Sequence, residues 1–168
     1  HPVRRVTLKN IRLTARGGGA AALVSRVVPE VEAKYPEATM FGELPVSGLF
    51  CRHVEGLLLD AVTLHTEQPD ARPALIFDDV HDFDLRTVLA DPPSGDEPVL
   101  WVRDVTGGFL QGLRALAGTG TFLRLSGERS TQIRAVGNDF SEAKKAWQLD
   151  GEVRPEALRQ EGNLLPAR

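Results

Sequence analysis

The chain has 168 residues, of which 42% are hydrophobic and 26% charged, a composition that is ordinary for a globular protein with a sizeable core. Its net charge of −3 argues against nucleic-acid binding, which needs a strongly basic face, and no apolar run approaches the roughly 20 residues that span a bilayer. The single cysteine, Cys51, excludes an internal disulfide. The opening HPVRRVTL, without an initiator methionine or signal peptide, suggests a mature or truncated chain.

Apolar residues recur along the chain with a period near 25 residues. Anchor positions follow one another in steps of 26, 25 and 23 residues: Val54, Val80, Val105 and Glu128. The residues five positions after the anchors predict one buried column: Leu59, Leu85, Leu110 and Ile133. Those eight positions after predict a second: Val62, Val88, Leu113 and Val136. The first segment supplies Leu8 and Ile11 for the same two columns. In a helix, apolar residues would recur every three or four residues, so this pattern indicates strands.

Each repeat combines two short alternating apolar runs with a closing cluster of turn residues. The first runs are LFCRHV, ALIFDDV, VLWVRDV and TFLRLSG, and the clusters are EQPDARP, DPPSGDEP and AGTGT. Stacking such repeats buries an apolar face that no single repeat could bury. The sequence therefore predicts an all-β fold, a right-handed parallel β-helix (solenoid) of about five to six rungs. A leucine-rich repeat is the rival fold, but its L-x-x-L-x-L-x-x-N consensus does not recur.

Two segments interrupt the repeat. A long excursion, 15–46, separates the first rung from the second, and within it AAALVSRVV predicts about two helical turns before Pro29. Loops of this length are often functional, but a rung corner also tolerates insertions, and both interpretations stay open. We expect rungs over 1–145, then a last strand around Trp147 to Leu149 and a polar cap within 146–168.

Four segments of the sequence are more distinctive than the alternation of apolar and polar residues that is common in β-helices. They are HPVRRVTLKNIRLTARGGG, VPEVEAKYPEATMFGELPVSGLFCRHVEGLLLDAVTL, PDARPALIFDDV and LRALAGTGTFLRLSG. Through them the chain from His1 to about Lys145 resembles glycoside hydrolase family 28, the polygalacturonases and rhamnogalacturonases, in the C-terminal part of the β-helix of a bacterial member. The resemblance implies a polysaccharide groove and a parent enzyme that hydrolyses galacturonan-type pectins with inversion. It also suggests a secreted or periplasmic parent protein, although the sequence leaves localisation open.

The family's catalytic motifs N-T-D, G-H-G and R-I-K do not occur in this sequence. Inversion needs two carboxyl groups about 6.5–9.5 Å apart, and the neighbours Asp78 and Asp79 would point to opposite faces of a strand. The repeat instead places Arg52, Asp78 and Arg103 at equivalent positions, which favours a ladder of opposite charges. We therefore expect no catalytic residue in this chain, which would not be an enzyme by itself.

Four residues are candidates for binding an acidic polysaccharide: Tyr35, Arg52, His53 and Asp78. Arginine pairs with a uronate carboxylate in bidentate fashion, and tyrosine stacks on a sugar face. In the alternative interpretation, Arg52 pairs with Asp78 and Tyr35 fills a gap under the excursion.

No metal or cofactor site is predicted, because His1, His65 and His81 are far apart and no phosphate-loop motif is present. Three classes of function remain. The chain is the non-catalytic C-terminal segment of a pectin-type glycoside hydrolase, or a stand-alone carbohydrate-binding β-helix, or a structural solenoid that associates end to end.

Overall fold

The chain folds as an all-β parallel solenoid of about five rungs, as the sequence predicts. The structure is a computed structural model that describes residues 2–35, 37 and 39–167. Its strands are β1 (Val3–Gly17), β2 (Leu49–Gln68), β3 (Leu75–Arg86), β4 (Leu89–Ala90), β5 (Pro98–Arg103), β6 (Thr106–Gln111), β7 (Thr121–Ser126), β8 (Thr131–Val136), β9 (Lys145–Leu149) and β10 (Leu158–Glu161). Two 3₁₀ helices occupy Ala21–Leu23 and Pro155–Ala157. Within the described ranges, no helix has the length and apolar character to cross a membrane.

Successive rungs pair in parallel throughout. β1 pairs with β2, which pairs with β3 and β4, and β3 in turn pairs with β5 and β6. From there two stacks continue side by side, β5–β7–β9 and β6–β8–β10. The last strand is thus β10, which lies in the segment predicted as a cap, and not the strand around Trp147.

The first three leucines of the predicted column are confirmed. Leu59 pairs with Leu85, Leu85 pairs with Leu110, and all three are buried. Leu8 on β1 extends the column by pairing with Leu59. Each rung therefore contributes one large side chain to a continuous core, which is how a solenoid buries apolar surface.

Ile133 does not continue this column, so that part of the prediction is wrong. Ala135 pairs with Leu110, and Ile133 pairs with Gly108 in the neighbouring column. The corner between β7 and β8 holds two more residues than the corner between β5 and β6, and exposed Glu128 is one of the corner residues. Because side chains alternate along a strand with a period of two, a shift of two residues still leaves Ile133 buried.

The second predicted column ends in asparagine. Val136 pairs with Gln111 and is half-buried, contrary to the prediction. Its expected place is taken by Asn138, whose Oδ1 accepts a hydrogen bond of 2.9 Å from the backbone N–H of Leu113. The Oδ1 of Asn163 accepts from the N–H of Asn138 in the same way, also at 2.9 Å. These amides satisfy backbone groups at a corner that would otherwise be buried without partners.

Residues with positive φ mark the rung corners, in three columns. The first column is His53, Asp79, Asp104 and Gly127. The second is Arg5, Gly56, Asp82, Gly107 and Gln132, and the third is Asn10, Ala61, Thr87, Gly112, Gly137 and Gly162. A non-glycine residue in this conformation costs about 1–2 kcal/mol, so the stacked rungs must hold it in place. The first column places the side chains of His53 and Asp79 at adjacent outer corners.

The excursion connects Gly17 to Leu49 and lies on the outer surface of the solenoid. Val24, Val28 and Val46 are buried apolar residues of this segment. The helix within it is a single 3₁₀ turn, Ala21–Leu23, shorter than the predicted two turns. No side chain caps its N-terminus, and the valines that follow favour extended backbone.

Asp70 and Arg72 fasten both ends of the excursion to the solenoid. Asp70, only 3% exposed, accepts a 2.9 Å hydrogen bond from the N–H of Gly19 and pairs with Arg72 at 2.7 Å. Arg72 also donates to the carbonyl of Leu44 at 3.0 Å. The excursion is therefore anchored at its two ends, and its middle part is held by other contacts.

Candidate functional site

A cleft of about 650 Å³ opens between the excursion and the second rung. Its walls combine apolar and charged side chains, which include Val28, Glu30, Lys34, Phe41, Arg52 and His53. Apolar surfaces beside a few placed polar groups are typical of a ligand site. The cleft thus brings together two of the four predicted binding residues, Arg52 and His53.

Arg52 fastens the excursion across the mouth of this cleft. Its guanidinium donates to the carbonyl of Val28 at 2.7 Å and to the carbonyl of Pro29 at 3.2 Å. It also forms an ion pair of 3.1 Å with Glu30 and lies over the ring of Phe50. The side chain is therefore engaged with the protein, and a ligand carboxylate would have to share or replace these partners.

His53 stands between two carboxylates. Its Nδ1 lies 2.7 Å from Oδ2 of Asp79 on the next rung, and its Nε2 lies 3.1 Å from Oε1 of Glu30 on the excursion. The hydrogen bond to Asp79, followed by that to Glu30, raises the pKa of His53 above its ordinary value of 6.5. Both partners favour the imidazolium, because a carboxylate only accepts hydrogen bonds.

Asp79 is the centre of a wider charge cluster at this corner. Its second oxygen lies 3.3 Å from Nε2 of His81 and 3.2 Å from Nη2 of Arg129. The hydrogen bond with His53 is the main reason that the pKa of Asp79 lies below its ordinary value. Burial opposes this shift, and the nearby charge of Arg129 supports it. This carboxylate is therefore ionised at neutral pH.

Asp78 lies apart from the cleft. It accepts two hydrogen bonds from Arg103, of 3.0 and 2.6 Å, in a bidentate ion pair between adjacent rungs. The register of Arg52, Asp78 and Arg103 follows the predicted ladder. Among the described residues, however, no ion pair joins Arg52 to Asp78, since Arg52 turns toward the excursion instead. Asp78 lines a smaller recess, which shares Val28, Phe50 and Arg52 with the cleft.

Tyr35 is the fourth predicted residue, and it is 81% exposed in the middle part of the excursion. It neither fills a gap under the excursion nor lines the cleft. Lys34 beside it does line the cleft, together with Glu30 and Phe41 from the same segment. Sequence reasoning misses these three residues because the excursion lies outside the repeat. The contact of Asp79 with His53, in contrast, follows from the 26-residue step between rungs.

The one cysteine offers no nucleophile to the site. Cys51 packs against the core, and burial raises the pKa of its thiol to about 11. The thiol is therefore protonated at neutral pH and unreactive. In the part of the chain that the structure describes, no group of three or more His, Cys, Asp or Glu side chains is arranged to hold a metal ion.

Comparison of the chain with protein-family models, with curated proteins and with solved structures gives no match in any of the three.

Proposed function

We propose that this chain is the C-terminal β-helix portion of a pectin-type glycoside hydrolase, acting on galacturonan or rhamnogalacturonan. In this proposal it is a scaffold and a wall of the polysaccharide groove, without catalytic activity of its own. The resemblance of its phrases to glycoside hydrolase family 28 supports the proposal, and so does the parallel solenoid fold. The observation that carries it is the cleft beside β2, where cationic and apolar side chains face one another.

The lining of the cleft suits an acidic saccharide. Lys34 supplies positive charge for a uronate carboxylate, as does His53 in its protonated form, and Arg52 also lines the cleft. Phe41 and Val28 offer apolar surface for the C–H face of a sugar ring. The carboxylate of Glu30 suits the ring hydroxyl groups, which donate hydrogen bonds.

We expect trigalacturonate to bind the protein in the millimolar range or tighter, with an affinity that falls as salt screens the charges. Lys34→Gln removes one exposed cation and should weaken binding about twofold to fivefold, the usual value of an exposed ion pair. Isothermal calorimetry at low and high salt measures both effects. Lys144→Gln, which changes an exposed lysine outside the cleft, is the matched control and should leave the affinity unchanged. Equal binding of a neutral oligosaccharide, or equal losses in the two variants, would contradict the proposal.

We also expect the isolated chain to release no reducing sugar from polygalacturonate or rhamnogalacturonan between about pH 4 and 8. The two neighbouring carboxylates are each committed to a cation, Asp78 to Arg103 and Asp79 to His53. Asp79 does have a second carboxylate nearby, Glu30, but the imidazole of His53 lies between the two and takes the space that a sugar bond and a water would need. A reducing-sugar assay tests this expectation. Hydrolysis that disappears in Asp78→Asn would show that Asp78 belongs to an active site.

A structural solenoid that associates end to end is the second candidate, and the first rung favours it. Val3 is 58% exposed and Leu13 is 38% exposed. Among the described residues β1 pairs only with β2, which leaves its other edge open for another strand. Sedimentation that depends on protein concentration, together with absent saccharide binding, would favour this function over the first.

A further inference from the structure

We propose that His53 is a pH-operated latch, which holds the middle part of the excursion against the solenoid when its imidazole is protonated and releases it when the imidazole is neutral. The latch acts on the tip, defined as residues 30–35, 37 and 39–43, several of which line the cleft. The proposal rests on the geometry around His53 and does not require that the cleft bind a saccharide.

The two hydrogen bonds of His53 need two protons on the ring. Nδ1 lies 2.7 Å from Asp79, and Nε2 lies 3.1 Å from Glu30. Both partners are carboxylates, which only accept, and a neutral imidazole carries a single N–H. The bridge from the excursion to the third rung is therefore complete only in the imidazolium form.

Loss of the proton turns one attraction into a repulsion. The shorter contact, to Asp79, retains the remaining N–H, because Asp79 is ionised and pairs with Arg129 through its other oxygen. The lone pair of Nε2 then faces the Glu30 carboxylate at 3.1 Å, and two acceptors at that distance repel each other. Glu30 keeps its ion pair with Arg52, so the tip becomes more mobile but stays attached to the solenoid.

The tip carries four further charged residues, Glu32, Lys34, Glu37 and Glu43, and no contact of any of them with His53 occurs among the described residues. On the solenoid, His81 and Arg129 face the other oxygen of Asp79. The ends of the excursion are held by Asp70 and Arg72, whose contacts do not depend on His53. The proton of His53 therefore acts directly on the tip and leaves the anchored ends in place.

The direction of the effect follows from the raised pKa of His53, whose causes are the hydrogen bonds to Asp79 and Glu30. A group whose pKa is raised in the folded protein stabilises the folded state fully at a pH below its ordinary pKa, which is 6.5 for His53. This stabilisation is lost as the pH rises through the pKa that the group has in the folded protein. The latch is accordingly closed below pH 6.5 and opens as the pH rises through the raised pKa of His53.

Hydrogen exchange followed by NMR tests the latch on the whole chain. The amides of Lys34, Met40 and Gly42 donate to turns within the tip and report its order. Their protection factors, corrected for the intrinsic pH dependence of exchange, should fall about fivefold to tenfold between about pH 5.5 and 8.5, which corresponds to the net contribution of one ordinary hydrogen bond. The amides of Val24 and Arg26, which lie in the anchored part, should keep their protection. The midpoint should coincide with the titration of the His53 ring signals.

Two variants make the test decisive. In Glu30→Gln the introduced amide can accept from the imidazolium and donate to the neutral ring, so protection of the tip should no longer depend on pH. Glu32→Gln removes a carboxylate of the same segment that does not contact His53, and should leave the wild-type pH dependence intact. The proposal is overturned if the tip of the wild type is equally protected on both sides of the His53 titration, or if Glu30→Gln responds to pH as the wild type does.

Discussion

Replacing Leu110 by alanine is expected to lower the free energy of unfolding by about 2 to 5 kcal/mol, the range measured for large-to-small changes in a packed core. Leu110 is fully buried and lies between Leu85 and Ala135 in the stack of rungs. Ala135 is too small to fill the space that the change would leave, and the hydrogen-bonded rungs resist collapse. Denaturant unfolding followed by circular dichroism measures the loss.

Gln111→Ala is the control, because Gln111 is the next residue of β6 and its side chain is exposed. Its effect should stay within about 0.5 kcal/mol, as is usual for surface changes. Similar losses in the two variants would mean that the inward and outward faces of β6 are wrongly assigned.

The second large effect is expected for Asp70→Ala, at about 3 to 5 kcal/mol. The change leaves the half-buried guanidinium of Arg72 without its carboxylate and the N–H of Gly19 without its acceptor. Because Arg72 also holds Leu44, we expect both ends of the excursion to be less protected from hydrogen exchange. Thermal or denaturant unfolding measures the stability, and exchange at residues 20–28 measures the detachment.

Asp96→Ala provides the comparison, since Asp96 is an exposed aspartate in the connection between β4 and β5. It should change stability by about 0.5 kcal/mol or less. The pH dependence is a further check. Burial raises the pKa of Asp70, but its hydrogen bonds with Arg72 and Gly19 outweigh this and hold it below the ordinary 3.8. The contribution of Asp70 to stability is therefore complete above pH 3.8 and is lost as the pH falls through the pKa of Asp70 in the folded protein. Asp70→Ala should not show this loss.

The repeat made most of the fold predictable. Stacked rungs place chemically similar residues at the same position, so Leu59, Leu85 and Leu110 reveal their column in the sequence alone. The prediction for Ile133 is wrong because the corner between β7 and β8 has two residues more than the corner between β5 and β6. After a shift by an even number of residues, apolar and polar residues still alternate in the same way along the strand. The sequence pattern therefore cannot show whether residues are inserted at a corner or the whole repeat is shorter.

The candidate site was less predictable, because half of it lies in the excursion. Arg52 and His53 belong to the repeat and were identified from the sequence, and the structure places both in the cleft. Glu30 reaches His53 from a segment without periodicity, so no spacing in the sequence indicates the contact. Tyr35 is a candidate from the sequence only because tyrosine can stack on a sugar ring. In the structure it is exposed, so an aromatic side chain in a loop need not face the nearest cleft.

The in-register corners also bear on how such a chain changes its length during evolution or design. A duplication of 25 consecutive residues adds one rung between two existing ones and leaves each neighbour with the type of partner it had before. An odd number of residues inserted within β6 or β8 would instead exchange the core and surface faces of everything up to the next corner. The added residues between β7 and β8 lie at a corner, where they alter no pairing of the strands on either side. Whole-rung duplication and corner insertion are therefore the two routes by which this architecture can grow without losing its core.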